Sequence, residues 1–465
     1  MRLLFVATLL IALASSLHAQ TVPPPIVVQA GPPHAVETGI AIDPTNIDHI
    51  VGSAVNTFGD PRVRKISNLT YITWDGGKSW TTVAMPNPHQ KVQGDDAVVI
   101  DHDGRVYRTY LGFRHLRNPN GVYPRNGLFL SGSEDGGLTY EPEVILIEHL
   151  NSIVPFEDKP YPGVDLSADS PYRGSVYVTW TRFTEYGSSA PEDSSYIFIV
   201  ASHDGGRTFS RPARIPAGGG DALDGDGTVE GAVPGTGPNG EVYLAWSGPR
   251  DIEFTRSLDG GATWEPARTI LTQPGGWAID IAGLGRANGM PVTAADISSG
   301  PYRGTVYVNW ADLRNNGGRD GDADIFLSRS TDGGITWSEP LRVNQDPAGN
   351  GRDQFFTWMS VDPTDGSVNI VYYDRREGDG NGVHVYLARS VDGGRTFREY
   401  RLSDRAFVPR PDRFFGDYNG VSAYGGRVAA LWTHYGLTAM ELRASVIDFD
   451  GLVPRPPSPR TLRER

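Results

Sequence analysis

Short stretches of alternating apolar and polar residues recur along the chain, each ended by a cluster of Gly, Asp, Asn or Pro. A period of two sends neighbouring side chains to opposite faces, so each stretch predicts a β-strand. No stretch carries the 3.6-residue period of a long amphipathic helix. One clear set lies at 163–168, 175–181, 196–202 and 208–215, and a second at 291–297, 305–311, 324–330 and 336–343. Even a loop recurs: Ser170-Pro-Tyr-Arg-Gly-Ser-Val-Tyr-Val-Thr-Trp180 parallels Gly300-Pro-Tyr-Arg-Gly-Thr-Val-Tyr-Val-Asn-Trp310. The unit is therefore four strands, repeated.

Between the third and fourth strand of each unit sits one turn pattern. Its six copies are Thr73-Trp-Asp-Gly-Gly-Lys-Ser-Trp80, Ser133-Glu-Asp-Gly-Gly-Leu-Thr-Tyr140, Ser202-His-Asp-Gly-Gly-Arg-Thr-Phe209, Ser257-Leu-Asp-Gly-Gly-Ala-Thr-Trp264, Ser330-Thr-Asp-Gly-Gly-Ile-Thr-Trp337 and Ser390-Val-Asp-Gly-Gly-Arg-Thr-Phe397. An aspartate accepts hydrogen bonds from the backbone that follows it, and glycine supplies positive φ. Asp75, Asp135, Asp204, Asp259, Asp332 and Asp392 are thus read as structural.

After the sixth turn, strands are predicted at 420–424, 427–433 and 440–449, with no fourth partner. The stretch 26–30 is a strand without a unit. Pairing the two closes a ring and removes a free sheet edge. The predicted fold is all-β: a seven-bladed β-propeller of four-stranded antiparallel blades, closed by the N-terminal strand, with six blades as the alternative. One propeller domain is expected over 20–452.

Strand direction sorts the loops. The Asp-Gly-Gly turns mark the back of the ring. Fourth-to-first and second-to-third connections gather at the front, around one mouth of the central channel. These loops hold the charged residues: Asp60, Arg62 and Arg64; Asp95 and Asp96; Arg114, His115 and Arg117; Asp158 and Lys159; Glu230; Arg250; Asp312 and Arg314; Asp374, Arg375 and Arg376; Arg413, Asp417 and Tyr418. Convergent arginines suit a carboxylate or sulfate, and paired with nearby aspartates they hold loops together instead. Two acidic Gly-rich loops, with Asp221, Asp224 and Asp226 and with Asp320, Asp322 and Asp324, offer alternating oxygen donors that suit calcium. Solvated loops are the plainer reading.

Composition narrows the picture. A formal charge of −13 opposes nucleic acid as a partner. Residues 1–19 read as a secretory signal: Arg2, an apolar run to Ala14, then small residues to Ala19. The expected location is secreted or periplasmic, with no membrane span. The chain has no cysteine, so neither disulfides nor a thiol nucleophile enter the argument. The Pro/Arg-rich tail 453–465 is expected to be disordered, and the molecule a monomer.

The repeated turn resembles the Asp-box, or BNR, repeat of the sialidase-like propellers. That resemblance spans the mature chain. It implies an arginine-held substrate carboxylate, a tyrosine nucleophile activated by a glutamate, and an aspartate acid/base. Phe415-Gly-Asp-Tyr-Asn-Gly-Val-Ser-Ala-Tyr-Gly-Gly-Arg-Val-Ala-Ala-Leu-Trp432 resembles the tyrosine segment, which maps to Tyr418. The segment starting at Glu230 resembles that of the partner glutamate. Asp60 or Asp96 would be the acid/base, and Arg62, Arg250, Arg314, Arg375, Arg376 and Arg413 the substrate-binding arginines. The family's first-arginine position falls in Val36-Glu-Thr-Gly-Ile-Ala-Ile-Asp43, which has none. The implied function is an exo-acting glycoside hydrolase of sialidase type on acidic glycans, without cofactor beyond structural calcium. Alternatives are a non-catalytic glycan- or protein-binding propeller and a polysaccharide lyase, for which His89 and His115 lie in suitable loops.

Overall fold

The computed structural model describes residues 22–57, 67–88, 92–114, 125–249, 251–377 and 380–449. Seven four-stranded antiparallel sheets form the blades of a propeller. The innermost strands, in ring order, are His34–Asp43, Val92–Ile100, Phe156–Val164, Glu230–Thr236, Val292–Ala295, Gln354–Val361 and Gly420–Tyr424. The predicted closure is present. Ile26–Ala30 pairs antiparallel with Met440–Asp448 and completes the seventh blade as its outermost strand. Tyr71 of blade 1 fastens this strand, its hydroxyl donating to Gln29 Oε1 at 2.6 Å.

Blade cores repeat as the sequence does. The second strand of blades 3, 4, 5 and 7 presents Trp180, Trp246, Trp310 and Trp432, all fully buried. In three of the four the buried indole N–H has a carboxylate acceptor, whereas Trp432 Nε1 has none among the described residues. Trp180 donates to Glu157 at 2.5 Å, Trp246 to Glu253 at 3.0 Å and Trp310 to Asp312 at 2.7 Å.

Each of the six Asp-Gly-Gly turns closes the same way. The leading Ser or Thr hydroxyl donates to the aspartate at 2.7–2.8 Å and accepts the second glycine's N–H at 2.7–3.0 Å. The aspartate also accepts the N–H and hydroxyl of the Ser or Thr four residues on. Both glycines have φ between 67° and 91°, a region that penalises any Cβ. These bonds to the charged form hold the aspartates below their ordinary pKa, to about 2 at Asp75, Asp204, Asp332 and Asp392.

Five innermost strands start with a bulge at the front face. The register shifts between Val36 and Thr38, Gly94 and Ala97, Asp158 and Tyr161, Glu230 and Val233, and Phe355 and Trp358. A residue inside each shift has positive φ: Glu37 at 54°, Asp95 at 43°, Lys159 at 51°, Gly231 at 79° and Phe356 at 50°. A bulge re-aims the side chain it carries, and non-glycine residues adopt this conformation only at a cost of about 1–3 kcal/mol. Three of the four side chains so carried, those of Glu37, Asp95 and Lys159, are charged and stand at the channel mouth, while Phe356 packs into the aromatic core.

Candidate functional site

The bulges and front connections bring together charged side chains from four blades and three of the connections between blades. Lys159, on the blade 3 bulge, is at the centre. Its Nζ lies 3.5 Å from Asp158 Oδ2, 3.6 Å from Glu230 Oε1 and 3.8 Å from Asp417 Oδ2. Burial opposes its charge, but those carboxylates outweigh burial and hold the ammonium well above the ordinary lysine value. Glu37 and Asp95 approach from blades 1 and 2; the Lys159 backbone N–H donates to Asp95 Oδ2 at 3.2 Å. Asp224, in the connection from blade 3 to blade 4, accepts the Tyr186 hydroxyl.

A two-rung hairpin, Ala278–Ile279 with Ala287–Asn288, lies over this cluster from the blade 4 to blade 5 connection. Its Arg286 grips Asp417 with two bonds, Nε to Oδ1 at 2.8 Å and Nη2 to Oδ2. The third Arg286 nitrogen, Nη1, lies 3.8 Å from Asp224 Oδ2. Asn288 Nδ2 donates to the Asp417 carbonyl at 3.0 Å. Trp277, also from this connection, sits under Lys159, with Nζ 5.6 Å from the ring centroid.

The carboxyl groups divide electrostatically. Burial raises Glu230 well above the ordinary glutamate value, with Lys159 opposing. Burial also raises Glu37, reinforced by Asp95 and Asp417. Asp158 is pushed up to about 7 by burial and by Asp95, against the pull of Lys159. Asp224 moves the other way: burial would raise it, but Lys159, Tyr186 and Arg286 bring it below its usual value. Proton-holding and ionised carboxyls thus share one mouth.

Below the cluster the channel narrows to three aromatics. Tyr161, Trp358 and Tyr418 pack mutually with centroids 5.5–5.7 Å apart. The Tyr161 hydroxyl meets Met290 sulfur at 3.2 Å. The Tyr418 hydroxyl is buried without a hydrogen-bond partner among the described residues, and burial pushes its pKa well above the usual value.

Of the residues singled out from sequence, Glu230, Asp95, Asp158, Lys159, Asp417 and Tyr418 stand at this mouth, while others are engaged elsewhere. Asp96 is fully buried in a two-bond pair with Arg108, whose guanidinium also reaches Thr70 of blade 1. It therefore serves the blade 1–blade 2 contact, away from the expected proton-donor position. Arg314 pairs with Asp312 and lies over the Trp310 and Phe326 rings. Arg375 pairs with Asp353 at 3.1 Å, and Arg376 with Asp374 and Glu399. These three serve blades 5 and 6. Arg413 is exposed beside Arg286 and Phe414 in a shallow pocket. Asp60, Arg62, Arg64, His89, His115, Arg117 and Arg250 lie outside the described residues, as do residues 1–19 and the tail 453–465.

The acidic loops are satisfied by the protein itself. Asp322 accepts the N–H groups of Gly349 and Gly351 at 3.0 and 2.7 Å, and Asp324 accepts from Asn344 and Arg342. Asp320 is exposed, and Asp226 accepts the Ala278 N–H at 2.8 Å. Asp221 accepts from Thr228 at 3.0 Å, and Asp224 belongs to the mouth. Among the described residues no group of three or more His, Asp or Glu is arranged to hold a metal ion. Sequence reasoning missed Arg286, Trp277 and Glu37. The only trace of the first two was an unusually long connection after blade 4, starting at Gln273-Pro-Gly-Gly.

The BNR/Asp-box repeat family matches residues 328–339, the fifth turn of the series. The chain is a propeller built on Asp-box repeats. No curated protein matches it. Among solved structures it is similar to a Hadza microbial sialidase, at 15% identity over 88% of this chain and 75% of that one, TM-score 0.43. It is similar to the Penicillium chrysogenum α-L-arabinanase complexed with arabinobiose, at 10% identity over 93% and 100%, TM-score 0.47. A third is an ulvan lyase bound to -[GlcA(1-4)Rha3S]-, at 13% identity over 93% and 98%, TM-score 0.49.

Proposed function

We propose that this Asp-box propeller hydrolyses glycosidic bonds at its front mouth, using carboxyl groups held in opposite protonation states. The observation that carries the reading is the divided carboxyl set. Burial and Asp95 push Asp158 up to about 7, favouring its protonated form, while Lys159, Tyr186 and Arg286 hold Asp224 below its ordinary value beside it. Glycoside hydrolysis uses one carboxyl to protonate the leaving oxygen and a second, ionised, to activate water. Asp158 is the candidate acid and Asp224 the candidate base. The water oxygen bonds to the anomeric carbon as the bond to the leaving oxygen breaks; Asp224 takes one water proton, the second stays on the new anomeric hydroxyl, and Asp158 gives its own carboxyl proton to the leaving oxygen. Lys159, between Asp158 and Glu230, positions both.

The sialidase form has less support. Arg314, Arg375 and Arg376 are committed to acids of their own blades, and among the described residues Tyr418 has no base within hydrogen-bond reach. Export and a monomeric state, expected from sequence, belong to the same proposal.

The test is a panel of aryl glycosides and oligosaccharides with product analysis. Asp158→Asn should lower kcat about 10²- to 10⁴-fold while the protein stays folded. Release of no sugar from any substrate removes the hydrolase reading. A second reading, binding without cleavage, draws on the near-complete burial of Glu230, Asp417 and Lys159. It predicts glycan-array signals with no product.

A further inference from the structure

We propose that the glycan taken at the front mouth carries free amino groups, and that Arg286 is an internal cation seated where such a group binds. This rests on the reading of that mouth as the glycan site. Six carboxyl groups, those of Glu37, Asp95, Asp158, Asp224, Glu230 and Asp417, gather around two cations, Lys159 and Arg286. Glu230 is fully buried, faces the centre of the cluster beside Asp224, and has Lys159 Nζ 3.6 Å from Oε1; among the described residues neither of its oxygens has a partner within hydrogen-bond distance. A buried carboxyl in that state has acceptor capacity left over for a donor.

Both cations lie against aromatic faces, Lys159 on Trp277 and Arg286 on Phe414 at 5.1 Å. Acid plus aromatic ring is the combination that recognises an ammonium. The two cations differ in freedom. Lys159 is buried on an innermost strand. Arg286 has a side chain 48% exposed, on a hairpin of only two rungs. Its contacts are Asp417, Asp224 and the exposed Phe414 ring. A sugar ammonium can take these three contacts if the guanidinium turns out to solvent. A uronate or sulfate at the same place would meet carboxylates, and like charges in a desolvated site are rejected.

The test is calorimetric titration with three probes: a glucosamine tetrasaccharide, its fully N-acetylated counterpart, and an oligogalacturonate. Wild-type protein should bind the amino oligosaccharide at least about tenfold more tightly than the other two, with affinity falling as salt rises. Arg286→Ala should bind it about tenfold more tightly still, since the internal competitor is gone. Arg286→Lys, which keeps a cation there, should stay near wild type, and Asp224→Asn should lose about tenfold. Preference for the galacturonate, binding of none of the three, or loss of amino-sugar binding in Arg286→Ala overturns the proposal. Amino-sugar binding without turnover leaves this inference standing and removes the hydrolase. Turnover of neutral or uronate glycans without amino preference does the reverse.

Discussion

At the scale of single residues, identical side chains do opposite work in the two faces of the ring. Asp332 on the back is surrounded by donors from Ser330, Thr336 and the turn backbone, and its pKa falls to about 2. Asp158 at the front is buried beside Asp95, and its pKa rises to about 7. Replacing Asp332 by Ala removes the bonds that shape one turn. It should cost about 1 kcal/mol, read as a lower urea midpoint, with kcat unchanged. A drop in kcat with an unaltered midpoint would contradict the separation of the two faces. The role of the Asp-box aspartates was legible because local spacing alone decides it: residue, turn and bond partners lie within seven positions of one another. The fate of Asp96 was not legible. Its neighbour Asp95 shares its sequence environment, yet one faces Lys159 and the other is consumed by Arg108. A positive φ on a non-glycine residue separates the two, and no residue type announces it.

At the scale of elements, sequence periodicity located most strands of blades 3, 5 and 7 and even the closing strand, though the first strand of blade 3, expected at 163–168, runs from Phe156 to Val164. A strand's period of two survives wherever one face is buried, so each blade left its mark. The hairpin that carries Arg286 left none. Its paired segments are two residues each, too short for any period. The closing strand gives a direct prediction. Removing residues through Ala30 leaves Met440–Asp448 as an open edge and takes away the Gln29 partner of Tyr71. The truncated protein should melt at a clearly lower temperature and self-associate through the exposed edge. Light scattering and thermal unfolding would show both, and a truncated protein as stable and monodisperse as the full chain would mean that the ring closes elsewhere.

At the scale of the whole molecule, the two faces impose opposite pH dependences on one cooperative ring. The Asp-box carboxylates have folded pKa values below the ordinary 3.8. Their stabilisation is complete above about pH 4 and fades as the pH falls towards 2. His434 acts in the same sense over a higher range. Burial lowers its imidazole to about 3, so its contribution is full above about 6.5 and is lost as the pH falls. The mouth carboxyls run the other way. The folded state keeps a proton on Asp158 that the unfolded chain gives up near 3.8, so this contribution is full below about pH 4 and lost as the pH rises to 7. Glu37 and Glu230, also raised, add to that loss. Thermal midpoints taken from pH 2 to pH 8 should therefore separate by variant. Asp332→Ala should converge on wild type as the pH falls to 2, where the lost aspartate no longer helps. Asp158→Asn should gain on wild type as the pH rises from 4 to 7, because the amide carries no charge to bury. If Asp158→Asn instead loses ground over that interval, Asp158 is ionised in the folded protein, and the proton donor of the proposed hydrolysis must be sought in Glu230.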